Sequence, residues 1–264
     1  MRTVGIEALG LGVQLHLSRP IESMAADLKA AWAMCPLTVE PTVGLYLHLG
    51  HNQTRALPKG CTEQVSADTA VALPQQVTQA VTRAALKANL GKLLLLHAAG
   101  IANPATGDAV ALVAASGTGK TTATLTLAPQ WSYLTDETVA VRPEDDSIVA
   151  YPKPLSVKRS GVLYKTETPP DSLGLKVSPV PAHLRAIVIL DRQPGHAGDP
   201  AVTDIGVLDM ICDIAPQSSS LHMLPEPLQM LHALHSRMRR VVRVTYAEAQ
   251  SLQPLIASLL DPSS

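Results

Sequence analysis

The segment that most clearly specifies chemistry runs from Ala114 to Thr122 and reads Ala-Ala-Ser-Gly-Thr-Gly-Lys-Thr-Thr. It matches the Walker A pattern, except that Ala114 stands where the pattern has its first glycine. Glycines let backbone N–H groups turn toward an anion, and the helix that follows adds the positive end of its dipole. The lysine can reach outer phosphates, and the next hydroxyl can bind Mg²⁺. The segment predicts a nucleotide phosphate site made of Ser116, Gly117, Thr118, Gly119, Lys120, Thr121 and Thr122.

Two adjacent carboxylates, Asp136 and Glu137, follow the first strand expected after this loop, residues 131–135. Carboxyl ends of parallel strands line one crevice, so we expect both acids to face the bound phosphates. Together with the Thr121 hydroxyl they are the predicted magnesium ligands. Asp136 is also the predicted base that accepts a proton from the attacking hydroxyl. The alternative is a solvated acidic turn.

His97 lies in an apolar run, residues 93–102, that a turn-forming cluster separates from a second run, residues 109–115. The two runs predict a hairpin that leads into the phosphate loop. If the strands pair, His97 lies near the phosphates. A buried, purely structural histidine is the alternative, and the residue types alone leave both interpretations open.

The remaining pattern predicts an α/β chain in two parts. Residues 11–17 and 42–49 are expected strands, residues 51–66 a loop, and a helix with an apolar face begins at Pro74. These elements make residues 1–90 a small α/β N-terminal unit, and residues 91–264 the nucleotide-binding core. Within that core, residues 160–182 contain four prolines and are expected to form a surface loop or lid.

Composition excludes several other classes of protein. The formal net charge is −1, with no long basic run, which argues against a nucleic-acid partner. No apolar segment reaches the length of a membrane span, and the first residues lack the pattern of a signal peptide. The three cysteines are far apart, so neither a disulfide framework nor a zinc site is expected. We therefore expect a soluble, cytoplasmic protein.

Three features in order resemble the superfamily of HPr serine kinase and phosphoenolpyruvate carboxykinase: a histidine on a strand, a hairpin into Ser-Gly-Thr-Gly-Lys-Thr-Thr, and an acidic pair one helix later. Most of the likeness lies in residues 94–141, and residues 151–158 resemble the loop that follows in small kinases of this group. The resemblance implies a phosphate-loop core with a mixed sheet. It also implies that Lys120 and Asp136 are catalytic and that His97 assists at the reacting phosphoryl group.

The same resemblance implies an ATP- and magnesium-dependent phosphotransferase that acts on an alcohol group of a peptide, a protein or a small hydroxy compound. It implies a basic residue that contacts the substrate, for which Lys153, Lys158 and Arg159 are the candidates. Relatives often assemble, so a homo-oligomer is also expected. No motif specifies which nucleobase is bound, so the phosphate donor could be a nucleoside phosphate other than ATP. The identity of the acceptor is not specified by the sequence either. Two departures are Glu137, where the family has a second aspartate, and Ala114.

Two other functions remain as alternatives: a nucleotide-gated ATPase or switch, and a non-catalytic module that binds peptides when nucleotide is bound. Two further signals are assigned no function. His232 and His235 lack a third ligand at metal spacing. A basic cluster, made of Arg237, Arg239, Arg240 and Arg243, is interpreted as a solvated helix end, where cations meet the helix dipole.

Overall fold

The computed structural model describes residues 2–50, 56–115, 117–158 and 165–261 of a mixed α/β protein, the class expected from the sequence. The chain forms two compact units. The first comprises Met1–Ala88 and Lys153–Leu173, and the second comprises Asn89–Pro152 and Gly174–Ser264. Segment 153–173, assigned above to the nucleotide-binding core, thus groups with the N-terminal residues.

The described residues contain sixteen strands and six α-helices, joined by short 3-10 helices. The strands are β1 (Arg2–Ala8), β2 (Leu11–Leu17), β3 (Pro41–Leu49), β4 (Glu63–Ala67), β5 (Leu94–Leu96), β6 (Ala98–Ala102), β7 (Asp108–Val113), β8 (Ser132–Thr135), β9 (Val139–Val141), β10 (Ile148–Val149), β11 (Leu155–Lys158), β12 (Lys165–Thr168), β13 (His183–Arg192), β14 (Ala201–Asp204), β15 (Ser218–Ser219) and β16 (Arg240–Tyr246). The helices are α1 (Ala25–Ala31), α2 (Leu73–Asn89), α3 (Lys120–Leu127), α4 (Val207–Ile214), α5 (Pro227–Arg237) and α6 (Gln253–Leu260).

The first unit is built on a four-stranded sheet in the order β1-β2-β3-β4. β1 and β2 form an antiparallel hairpin whose two turn residues, Leu9 and Gly10, have positive φ angles of 51° and 76°, as the tightest hairpin turns require. β3 and β4 continue in parallel. β11 and β12 form a separate hairpin, and it is tied to α2 by a hydrogen bond of 2.9 Å from Thr78 Oγ1 to Glu167 Oε2.

The second unit contains a six-stranded sheet in the order β14-β16-β13-β7-β6-β8. Its middle strands β16, β13 and β7 are parallel, and all six residues of β7 are buried, which is typical of a strand covered on both faces. β6 is antiparallel to both of its neighbours, β7 and β8. β7 and β8 therefore run in the same direction with β6 between them.

The core of the second unit lies between this sheet and a smaller one, of order β10-β9-β5-β15. Alternate residues of β7 and β13 pack there with apolar side chains of α4 and α5, such as Met210 and Leu231. α3 and α6 pack on the other face, against β6 and β7 respectively. Both faces of the sheet are therefore covered. Polar groups can be placed at the ends of its strands instead.

Most expected elements are present, with differences where polar residues form strands. Residues 51–66, expected as loop, include the start of β4, and residues 160–182, expected as a surface loop, contain β12 and a 3-10 helix at Asp171–Leu173. The apolar run 93–102 is not one strand. It divides at His97 into β5 and β6, which belong to different sheets.

Two expectations about the whole chain can be compared with the structure. None of the described helices has the length and apolar character needed to cross a bilayer. Cys35, Cys61 and Cys212 are all free. Burial raises the pKa of the Cys35 thiol to about 12, which makes this cysteine a small core side chain rather than a nucleophile.

Candidate nucleotide-binding site

The phosphate loop occupies the carboxyl end of the central strand β7. The backbone leaves β7 at Val113 and enters α3 at Lys120. Gly117 and Gly119 have φ angles of +83° and +104°, a region that L side chains rarely adopt. Residues in this left-handed geometry are the kind from which an anion-binding nest of backbone N–H groups is built. Gly119 is also the N-cap of α3, so the positive end of the helix dipole faces the loop.

Three strand ends converge at this edge of the sheet because of the register around β6. Ala98, the first residue of β6, pairs with Val113 at the end of β7, and Gly100 pairs with Thr135 at the end of β8. The loop after β7, the acidic pair after β8 and the histidine before β6 therefore meet. From the sequence we expected neighbouring parallel strands to bring the acids to the loop. In the structure an antiparallel strand lies between them, and it contributes His97.

Lys120 is buried, with 7% of its surface exposed. Its ammonium donates hydrogen bonds to the carbonyls of Ala114, at 2.6 Å, and of Ala115, at 3.1 Å. Burial lowers the pKa of Lys120, while the nearby charges of Glu137 and Asp136 raise it. The predicted phosphate-binding cation is thus in the loop concavity, and in this state it is bound by the loop itself.

Asp136 is also buried, and both of its carboxylate oxygens accept hydrogen bonds. Thr121 Oγ1 donates to Oδ2 at 3.3 Å, and Tyr133 Oη donates to Oδ1 at 3.3 Å. Tyr133 lies on β8 with no exposed surface, and the sequence argument did not identify it. A tyrosine three residues before an aspartate carries no special pattern, because their contact depends on how the chain turns after the strand.

His97 is half-buried at the junction of β5 and β6, and its backbone N–H donates to the Gln217 carbonyl at 2.6 Å. Burial is the first cause of the lowered pKa of the imidazole, and the charge of Lys120 lowers it further. Glu137 opposes this change through its charge and by accepting a hydrogen bond from the ring at its backbone carbonyl, and the charge of Asp136 also opposes it. His97 is therefore electrostatically coupled to the phosphate-loop lysine and to both acids.

Glu137 occupies a turn that backbone hydrogen bonds hold in place. Its carbonyl accepts from Ala98 N at 3.1 Å, and its own N–H donates to Thr135 Oγ1 at 3.2 Å. The carboxylate is partly exposed, and its field acts on Lys120 and on His97. The acidic pair thus lies within the candidate site, and a freely solvated turn does not describe it.

The residues present fit a magnesium ion of the kind that accompanies nucleotides. A hydroxyl and a carboxylate, Thr121 Oγ1 and Asp136 Oδ2, lie 3.3 Å apart, and both are hard oxygen donors. Within the described residues, no cluster of three His, Cys, Asp or Glu side chains is suited to hold a metal ion. Mg²⁺ that bridges phosphates needs only one or two protein carboxylates, because water and phosphate oxygens supply the other ligands.

Other predicted residues have mixed outcomes. Ser116 and Arg159 lie outside the described residues, and of Lys158 only the backbone position in β11 is described. Lys153 belongs to the first unit, is 2% exposed and donates to the Pro154 carbonyl at 3.3 Å. Its role as a substrate contact is untested, but it is not a solvated charge.

The two remaining phosphate-loop residues are Thr118, between the two glycines, and Thr122, two residues after the lysine. Thr118 Oγ1 donates to the Ala115 carbonyl at 2.9 Å and so stabilises the turn of the loop. Thr122 is exposed in the first turn of α3. Its side chain is thus accessible to a ligand at the helix N-terminus.

The basic cluster near the end of α5 is not a solvated helix end, and that interpretation is wrong. Each of its four arginines is paired with an aspartate from another part of the second unit. The pairs are Arg237–Asp146, Arg239–Asp108, Arg240–Asp204 and Arg243–Asp213. His235, for its part, lies 3.2 Å from the Ile205 carbonyl.

Comparisons with known proteins give little to add to this geometry. No protein-family model matches the chain, and no curated protein matches it. Among solved structures, the chain is similar to the HPr(Ser) kinase/phosphatase from Coxiella burnetii, with a TM-score of 0.31 and 13% identity, over 62% of this chain and 92% of that one. A likeness this slight supports no argument about function. A function for this chain therefore has to be argued from the geometry of the site.

Proposed function

We propose that this chain is an ATP- and Mg²⁺-dependent kinase that transfers a phosphoryl group to a hydroxyl. The supporting observation is the convergence of one lysine, one histidine and two carboxylates on a glycine loop at the N-terminus of α3. Phosphoryl transfer depends mainly on positioning and on neutralising charge, and these groups can supply both. The order of the features along the chain also supports a core of the HPr kinase type for the second unit.

Each side chain has a role in this proposal that follows from its environment. Backbone N–H groups at Gly117 and Gly119 bind phosphate oxygens, and the Lys120 ammonium moves from the loop carbonyls to the outer phosphates. Thr121 and Asp136 hold the magnesium ion, which supplies charge neutralisation across the phosphates. Asp136 or Glu137 accepts the proton of the attacking hydroxyl, in line with the transferring group.

The acceptor is a hydroxyl-bearing molecule whose identity this geometry does not specify. A serine or threonine side chain, free or within a peptide, is the first class to test, because the proposed base needs a neutral alcohol at hydrogen-bonding distance.

The proposal is tested first by calorimetric titration of Mg·ATP into the parent chain and into Lys120→Ala. Loss of a charge-assisted hydrogen bond to phosphate should weaken binding about tenfold to a hundredfold. Lys87→Ala is the matched control, since Lys87 is an exposed lysine on α2, and it should bind as the parent does. Circular dichroism confirms that each variant is folded.

The transfer step is tested with labelled ATP and a set of Ser- and Thr-containing peptides together with free serine. Asp136→Asn should abolish transfer, with a loss of about a hundredfold or more, because it removes the carboxylate proposed to hold the magnesium ion and to serve as a base. Hydrolysis that no added hydroxyl compound stimulates would favour a nucleotide-gated switch. Absence of nucleotide binding by the parent chain would overturn the kinase proposal.

A further inference from the structure

Arg192 lies on the side of the phosphate loop away from the acidic pair. It is the last residue of β13, the strand that pairs with β7 on the side opposite β6. A Cβ added at Gly119 would lie 3.7 Å from Arg192 Cδ, so the stem of the arginine lies beside the loop at the start of α3. The motif gives no sign of this contact, since the two residues are far apart in sequence.

The guanidinium of Arg192 is held at the carboxyl end of the next parallel strand, β16. Its Nε donates to the Ala247 carbonyl at 2.9 Å, and its Nη2 lies 3.3 Å from Glu248 Oε1. The 3-10 helix that follows, Ala249–Leu252, packs against α3. The arginine is thus fixed beside the loop by elements that also contact the phosphate-loop helix.

The ion pair between Arg192 and Glu248 is weak and open to exchange. The two side chains are 40% and 70% exposed, and pairs with such exposure contribute little to stability. An arginine fork binds phosphate oxygens in bidentate fashion and more strongly than it binds a solvated carboxylate. A phosphate brought beside Gly119 would therefore compete successfully with Glu248 for Arg192.

Charge at the candidate site favours such an exchange. The residues assigned so far comprise one cation, Lys120, and two carboxylates, and a magnesium-bound nucleoside triphosphate is itself an anion. A second cation beside the loop offsets this excess of negative charge. The sheet order also defines the direction in which the chain of phosphates would run. The candidate metal ligands and the candidate base lie on the β8 side of β7, whereas Arg192 lies on the β13 side.

We propose that Arg192 is a nucleotide-binding residue that holds a non-transferring phosphate of the nucleotide, and that Glu248 is the side chain it releases to do so. The reacting phosphate is drawn toward Asp136, so the remaining phosphates extend toward β13 and reach the guanidinium. This inference rests on the nucleotide site proposed above and adds a specific contact to it.

The test compares calorimetric affinities for Mg·ADP and Mg·ATP among the parent, Arg192→Ala, Arg192→Lys and Glu248→Gln. Because the contacted phosphate is present in both nucleotides, Arg192→Ala should weaken both by the same factor, about tenfold or more. Arg192→Lys should be intermediate, since it keeps the charge but loses the fork. Glu248→Gln should bind both nucleotides about two- to threefold more tightly, because the competing carboxylate is neutralised.

Arg240→Ala is the matched control. Arg240 begins β16, is similarly exposed and is also paired with a carboxylate, that of Asp204, but it lies at the opposite end of that strand. It should bind both nucleotides as the parent does, and thermal unfolding should show that every variant is folded.

The outcomes separate this inference from the function on which it rests. Loss of binding in Lys120→Ala, with parent-like affinity in Arg192→Ala, would overturn the role of Arg192 and leave the kinase proposal intact. Weakened ATP binding with unchanged ADP binding would place Arg192 on the transferring phosphate and overturn the stated contact. Unchanged affinity in Glu248→Gln would overturn the exchange. A parent chain that binds neither nucleotide would overturn both proposals.

Discussion

At the scale of single residues, His97 reports on the electrostatics of the whole candidate site. Its imidazole is half-buried, and its pKa responds to the charges of Lys120, Glu137 and Asp136. Burial and the cation both lower its pKa below the ordinary value of 6.5. The neutral imidazole, which can accept a proton, is therefore the form present at neutral pH.

This coupling can be measured by an NMR titration of the His97 ring. In the parent chain, the midpoint should lie below 6.5. Lys120→Gln removes a positive neighbour that disfavours the protonated ring, so the midpoint should rise. Glu137→Gln removes a negative neighbour and should lower it further. Lys87→Gln, an exposed change on α2, should leave the midpoint unchanged. A midpoint in Lys120→Gln equal to that of the parent would contradict the proximity of the two groups.

The contiguous motif predicted which residues form the phosphate loop, and the order of elements along the chain predicted that Asp136, Glu137 and His97 lie near it. Two further neighbours of the loop were not predicted. The left-handed glycines, Lys120 and Thr121 follow from a contiguous motif, because the loop geometry is set within nine residues. Tyr133 and Arg192 could not be found in this way. Each meets the site through the ends of strands that are aligned by the sheet, and sequence spacing does not encode that alignment.

At the scale of elements, ion pairs fasten the ends of helices and strands in the second unit. Asp146 accepts two hydrogen bonds of 2.7 Å from Arg237, and so joins the turn before β10 to the end of α5. The Asp146 side chain is 3% exposed. Arg240 and Asp204 form a pair of similar geometry at the sheet edge, where the aspartate is 66% exposed.

The two pairs should therefore differ in their contribution to stability. Arg237→Ala leaves a buried carboxylate without its partner, and we expect the free energy of unfolding to fall by about 2–3 kcal/mol. Arg240→Ala leaves a solvated carboxylate, and we expect a loss below about 1 kcal/mol. Urea denaturation of both variants and of the parent provides the comparison. Equal losses in the free energy of unfolding would show that burial of the aspartate does not determine how much each pair stabilises the fold.

The central apolar strands of the six-stranded sheet were predictable, and two polar strands were not. β7 and β13 each contain a continuous apolar run, residues 109–113 and 186–190. Such runs indicate buried strands whatever their partners. β4 and β12 read Glu-Gln-Val-Ser-Ala and Lys-Thr-Glu-Thr, with little alternation of apolar and polar residues. They become strands because β3 and β11 offer them backbone hydrogen bonds, which is a tertiary influence on a weak local pattern.

At the scale of the whole molecule, the first unit is made of two separate stretches of chain. Segment 153–173 leaves the second unit, contributes β11 and β12, and returns at Gly174. Within it, Leu155 and Thr168 are buried. A cut near residue 90, as the sequence predicted, would therefore remove part of the first unit.

A fragment of residues 1–88 should consequently be incomplete. It lacks the β11–β12 hairpin, and Thr78 loses its hydrogen bond to Glu167. Adding a synthetic peptide of residues 153–173 should raise its unfolding temperature, by about 4–8 °C for each kcal/mol of binding free energy gained. A peptide of the same composition in scrambled order is the control. Thermal unfolding followed by circular dichroism measures the effect, and a fragment indifferent to the peptide would show that it is complete without it.

The discontinuous first unit also sets an order of events on the ribosome. Residues 89–152, which include the phosphate loop, are translated between its two stretches. At about 5–20 residues per second, the first 88 residues wait about 4–17 s until segment 153–173, which completes their unit, has been made. During that interval the nascent chain presents the apolar residues that segment 153–173 would cover. A chaperone that acts during translation would therefore find its substrate in the N-terminal unit while the second unit is still being made.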